Sequence, residues 1–262
     1  IPSFSACQAS HTTFTRVSVT AKQPKGVKTH YTVIMLSTSV IVSGYKPPRQ
    51  ERGRQAVAKI FDALIYLLSK HDNYYGSVTN QDIADEAGIK LSSLYQWFEK
   101  GKDTVIMVLA VELLAGDAEV YGPFFTNPKR TKEGIASFIR GLNQLTLDIY
   151  VERPGCYAVL HCPDVPKELI EFREVMRQQT IQVLAEVFKG FGFGPRRYLI
   201  ATAINDIMYF MHQKFTRVVV VEPKRKKRRF EVQFDQEGQA EVEKALISYL
   251  RDAFESENLP YR

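Results

Sequence analysis

Between Lys90 and Gln96 the chain places Lys90, Ser92, Ser93, Tyr95 and Gln96 around the apolar Leu94. These side chains offer hydrogen bonds and positive charge but no nucleophile paired with a base, so their chemistry is recognition. In a DNA major groove a Gln carboxamide can meet adenine with two hydrogen bonds, a Lys ammonium can address the guanine acceptors, and serine hydroxyls can bond bases or phosphates. Gln96 and Lys90 are therefore the candidates for base discrimination. Thr79 at a helix start, Tyr95 and Lys102 are candidates for phosphate, and Arg49 and Arg52 for a neighbouring groove or backbone. The plainer alternative has Tyr95 and Trp97 capping a small core and Gln96 solvated.

Such side chains read a duplex only from a rigid mount. Thr79 is a suitable N-cap for a short helix through Ala87, with Ile83, Ala84 and Ala87 on its buried side and Gly88 ending it. A further short helix follows at once, with Leu94 and Phe98 as its core contacts. Two short helices joined by a tight glycine turn have helix-turn-helix geometry, in which small Ala84 and Ala87 allow close approach. Ahead of them, after Pro47 and Pro48, Val57, Ile60, Phe61, Leu64, Ile65, Leu67 and Leu68 recur at helical spacing.

The run Thr79 to Ile89 followed by Leu94-Tyr95-Gln96-Trp97-Phe98 and then Lys102-Asp103 resembles the signature of the TetR (tetracycline repressor) family over roughly residues 50 to 110. The family usually has two residues between the aromatic and the lysine, where this chain has Glu99, Lys100 and Gly101. Lys90, Ser92 and Ser93 stand where members commonly have Ser or Thr, then Gly or Pro before a hydroxyl residue. The resemblance implies a homodimer that reads a near-palindromic double-stranded operator and releases it when a small molecule enters the C-terminal region. It also implies that the last two long helices pair with the partner's copies. The sensing pocket is then expected among the middle helices, lined by Phe138, Tyr150, Phe172, Met176, Met208 and Met211, and suited to a mainly apolar effector.

Beyond the reader, helical patterns cover Val105 to Val120, ending before Pro123, and Thr131 to Val151, ended by Pro154 and Gly155. Others cover Tyr157 to His161, Pro166 to Lys189, Arg197 to Phe215, and a last stretch bearing Val242, Ala245, Leu246, Tyr249, Leu250, Ala253 and Phe254. Val218 to Val221 and the alternating Phe230, Val232 and Phe234 predict a hairpin insertion near 217–235, with the basic Lys224 to Arg229 at its tip and the start of its second arm. The expected fold is all-α apart from this hairpin. Residues 1–46 are a disordered tail, 47–104 the helix-turn-helix domain, and 105–262 a helical ligand-binding and dimerisation domain.

The chain has 262 residues, 45% hydrophobic and 24% charged, with a formal net charge of +6, which suits a globular protein that meets polyanions. Its three cysteines are too few for a disulfide framework and favour the cytoplasm. The apolar run Tyr31 to Val42 is too short to span a bilayer. Residues 1–46 contain no Asp or Glu and read as a tail. A weak targeting peptide is the sharper alternative, and Met35 is a possible start. Cys156, His161 and Cys162 do not share a helix face, so no metal site is expected, and no catalytic motif or cofactor loop appears. The rival functions are an all-helical ligand-binding protein or enzyme with an incidental helix-turn-helix, and a nonspecific nucleic-acid binder.

Overall fold

A computed structural model describes residues 15–18, 32–35, 42–126, 134–221, 229–256 and 259. The first strands, β1 (Thr15–Ser18) and β2 (Thr32–Met35), pair antiparallel with Arg16 opposite Ile34. The sequence showed no strand period there, and the rest of 1–41 lies outside the described residues.

The helical part of the chain begins with α1 (Glu51–Lys70), which buries every apolar residue of the expected stripe, from Val57 to Leu68. A single turn of 3-10 helix, Tyr75–Ser77, leads into α2 (Asn80–Ala87). Thr79 and Asp82 close its start reciprocally: the Asp82 amide donates to Thr79 Oγ1 at 3.1 Å, and the Thr79 amide donates to Asp82 Oδ2 at 2.9 Å. These bonds satisfy amides that the first turn of a helix leaves without partners. Gly88 ends the helix at φ +66°, a conformation that costs a residue with a Cβ and costs glycine nothing. Thr79→Ala is expected to lower stability by about 1 kcal/mol, measured by urea denaturation. An unchanged midpoint would remove the cap from the account.

Next come α3 (Leu91–Trp97) and α4 (Lys102–Thr126). The sequence stops α4 before Pro123, whereas the helix runs through it to Thr126. Aromatic packing explains the difference. Phe124 is buried and lies 5.3 Å from the Phe138 ring, and Phe125 stacks on Tyr121 at 6.0 Å, so the last turn is held although Pro123 cannot donate its hydrogen bond.

Behind α4 stand α5 (Ile135–Glu152), α6 (Pro154–His161), α7 (Lys167–Gly190) and α8 (Arg197–Phe215). Pro154, expected only as a breaker, also opens α6, because its fixed φ and missing N–H suit the first position of a helix. The expected hairpin is present: β3 (Thr216–Val221) pairs antiparallel with β4 (Arg229–Phe234), Val218 opposite Val232. Most of the basic tract, Lys224 to Arg228, lies outside the described residues. The chain closes with α9 (Gln236–Ser256).

Two large apolar cores result. One joins α1 to α4 and extends to Ala158 and Val159 on α6 and Leu169 on α7, crossing the sequence boundary drawn at residue 104. The other joins α5, α7, α8 and α9 around Phe138, Phe188, Phe193 and Phe254. The N-terminal helices and the helical body thus share one core through α6.

Candidate nucleic-acid interface

The geometry of α3 follows from what it buries. Leu94 and Phe98 are both fully buried, which turns the opposite side of the helix outward, and Ser92, Tyr95 and Gln96 are exposed there beside Lys90. Ser93 is half-buried. Lys90 precedes the helix as its N-cap, and its ammonium, which has donors only, makes no bond to the amides of the helix start. Ser92, Tyr95 and Gln96 therefore share one open face of α3, with Lys90 exposed just ahead of the helix. Arg49 and Arg52 are exposed at the start of α1.

Asn80, which the sequence reading did not single out, fixes how the reader helices meet. Its Nδ2 donates to the Tyr95 hydroxyl at 2.9 Å, and its Oδ1 accepts from the Lys102 amide at 2.6 Å. One side chain in the first turn of α2 thus ties the C-terminal half of α3 to the start of α4. Because the Tyr95 oxygen accepts from Asn80, its own proton is left to donate outward, as a phosphate contact requires. Gly101, at φ +59°, allows this: a Cβ there would stand 2.4 Å from Asn80 Oδ1. The extra residue between Phe98 and Lys102 is absorbed in this turn, whose only warning in the sequence is a glycine directly before the lysine.

Two phosphate candidates are occupied within the protein. The Thr79 hydroxyl donates to Asp82 Oδ2 at 2.6 Å, and these bonds from Thr79 hold the Asp82 carboxyl below its ordinary range. The Lys102 ammonium turns inward, donating to the carbonyls of Val78 at 2.7 Å and Tyr75 at 3.2 Å, 4.2 Å from the centre of the Tyr75 ring. Tyr75 in turn donates to Asp103 at 2.6 Å. Lys102 thereby clamps the loop before α2. Lys102→Met is expected to lower stability by about 1–3 kcal/mol, since two buried carbonyls lose their donor. Denaturation checks this; undiminished stability with a smaller salt slope of DNA binding would favour a phosphate contact instead.

Residues 42–46, joined to the tail in the sequence reading, dock on the reader. Tyr45 bridges to Phe98, Lys46 N donates to Trp97 O at 2.8 Å, and Glu99 N donates to Gly44 O at 2.9 Å. Residues 44–46 are thus bonded to the end of α3.

The six residues expected to line a pocket are distributed over the apolar clusters of the described residues. Phe138 and Met208 belong to the second core, Tyr150 to a small cluster with Tyr157 and Val218, and Phe172 and Met176 pack on the first core; Met211 is buried. His161 Nε2 pairs with the Tyr150 hydroxyl at 3.1 Å, and Cys162 Sγ donates to the Asn73 carbonyl at 2.8 Å, so the His and Cys considered for a metal have other partners. Among the described residues no helix is long and apolar enough to cross a membrane.

No family model matches the chain, and no curated protein matches it. Among solved structures it is similar to a TetR family transcriptional regulator, PfmR from Thermus thermophilus. That match has 13% identity, covers 72% of this chain and 94% of that one, and has a TM-score of 0.51. A second similar structure is the fatty acid degradation regulator FadR from Bacillus halodurans, at 12% identity, covering 64% of this chain and 88% of that one, with a TM-score of 0.44. The expected all-α fold, a helix-turn-helix domain followed by a helical body, is thus a TetR-type fold.

Proposed function

We infer that the protein is a cytoplasmic DNA-binding transcriptional regulator, acting as a homodimeric repressor that leaves its operator when a small molecule binds the helical body. The observation that carries this reading is the outward face of α3, where Ser92, Tyr95 and Gln96 stand together on a helix held by Asn80 and Gly88, with Lys90 exposed just ahead of it. A polar face on a short helix behind a tight turn fits a major groove, about 12 Å wide. The fold shared with PfmR, described as a transcriptional regulator, supports the same reading.

Dimerisation is supported by an apolar surface on the last two long helices. Leu199 is 61% exposed and Phe210 56%, with Tyr209 on the same helix and Tyr249 on α9 also exposed. A patch of this kind favours cover by another surface, and a second copy of the same helices would bring two readers onto one duplex. No constellation suited to catalysis is needed.

The reading assigns separate tasks to separate side chains. Gln96→Ala is expected to weaken binding to the preferred duplex by about 1–3 kcal/mol while leaving random duplex nearly unaffected. Competition binding at moderate salt measures both. Equal losses on every sequence would take Gln96 out of base reading, and equal affinity of the unaltered protein for all duplexes would favour the nonspecific binder.

A further inference from the structure

A cleft of about 370 Å³ opens between α5, β4 and α9. It was not foreseen from the sequence and contains none of the six residues expected to line the effector pocket. Asn143, Asp148, Gln239 and Glu243 supply much of its polar lining, with Leu147 and Phe234 as apolar wall, and among the described residues no Lys, Arg or His lines it. Glu243 is already paired with Arg140 at 3.1 Å. Among the described residues Asp148 receives only the Gln144 amide, at 2.8 Å on Oδ1, and it is exposed and lines the cleft. The negative charge of the cleft therefore rests on Asp148.

Two carboxamides, each more than nine-tenths buried, give the cleft its specificity. Asn143 bonds the His212 ring through Oδ1 at 2.8 Å, and its Nδ2 has no partner among the described residues. Burial holds His212 neutral, and its Nε2 faces the Asn143 carboxamide oxygen. Gln239 donates to Thr216 Oγ1 at 3.2 Å and leaves Oε1 without a partner among the described residues. Neither atom is among the sealed, unpartnered polar atoms of the described residues, so both open to the cleft and can bond an incoming molecule.

We propose that this cleft binds a small organic cation, an amine whose charge meets Asp148 and whose apolar body lies against Leu147 and Phe234. Polar atoms on the same molecule would complete Asn143 and Gln239. The site has a route to the reader. Gln239 is bonded to Thr216, the Thr216 carbonyl accepts from the Tyr157 hydroxyl at 2.6 Å, and Tyr157 lies on α6, whose Ala158 and Val159 belong to the core shared with α1 and α4. The cleft residues of α9 lie on a different side from Val242, Ala245 and Tyr249, so a partner covering that stripe leaves the cleft open. As the effector site of a regulator the inference rests on the function proposed above; as a binding site it does not.

Calorimetric titration of the full chain without DNA tests it with three probes of one shape, phenethylammonium, 2-phenylethanol and phenylacetate. Phenethylammonium is expected to bind about tenfold or more tightly than the alcohol, corresponding to about 1.4 kcal/mol, and phenylacetate not to bind. Asp148→Asn should erase the preference for the cation, and Ala240→Arg, which places a positive group in the cleft, should abolish binding while both variants keep the thermal midpoint of the parent. Equal binding of cation and alcohol, no binding of the cation, or a preference that survives Asp148→Asn would overturn the proposal. Since DNA is absent, failure here leaves the DNA-binding reading standing, and failure of that reading leaves this titration interpretable.

Discussion

Phe98→Ala is expected to lower the stability of the protein by about 3–5 kcal/mol, the usual cost of deleting a fully buried aromatic ring. Phe98 ends α3, is fully buried, stacks on Tyr45 at 5.2 Å and meets the Phe61 edge at 6.0 Å. It therefore joins three segments: the chain at 42–46, α1 and the reading helix. Losing the ring removes the reason for α3 to turn its polar side outward, so binding to every duplex should fall with stability. Phe98→Leu, which refills much of the volume, should recover most of both. Equilibrium denaturation and duplex binding on the same samples check this; a Phe98→Ala protein of unchanged stability would mean that the ring is not a core anchor.

The second large effect is loss of stability in acid. Burial, the nearby His212 and the Arg173 charge press the His161 pKa down to about 3, and burial presses that of His212 to about 4. The groups facing them are neutral at these pH values: Tyr150 and the Tyr157 and Tyr209 rings around His161, Asn143 and the Tyr150 ring around His212. No carboxylate among these partners compensates a proton, and Arg173 opposes one. In the unfolded chain both histidines titrate near about 6.5. Folding with depressed pKa values means that the unfolded state binds more protons below that point. The stability contributed by the neutral rings is therefore complete above about pH 6.5 and is lost as the pH falls toward 4 and 3. The expected loss is several kcal/mol by pH 4 and is read as a falling thermal midpoint. His212→Gln, which keeps a donor for Asn143 without a titrating ring, should flatten the profile; an equally steep fall in this variant would exclude His212 as a source.

Local rules made the reader legible. The apolar period of α1, the Thr79 cap and the Gly88 stop each depend on residues within one or two turns, and each is present as the sequence implied. The same holds for the hairpin, where alternation at Phe230, Val232 and Phe234 reports strand pairing directly. What escaped depends on distant partners. Pro123 reads as a helix end until Phe138 is known to hold the turn beyond it. Lys102 reads as a free cation, because nothing within its own helix announces the Tyr75 and Val78 carbonyls that take its protons. Asn80 carries no signal except the glycine at 101 that makes room for it.

The pocket shows the same limit more strongly. Periodicity reveals that Phe138, Tyr150 and Met208 face inward, but not whether neighbouring helices close completely around them. The polar cleft combines residues about a hundred positions apart, from Asn143 to Glu243, and becomes visible only when β4 is laid beside α5 and α9.

Selection of bound duplexes from a random pool at moderate salt tests the central claim most directly. The unaltered protein should enrich one sequence made of two half-sites related by two-fold symmetry, and Gln96→Ala should enrich a pool with relaxed preference at a fixed position in each half. Recovery of an unenriched pool, or retention of no duplex at all, would contradict the claim that the outward face of α3 reads DNA.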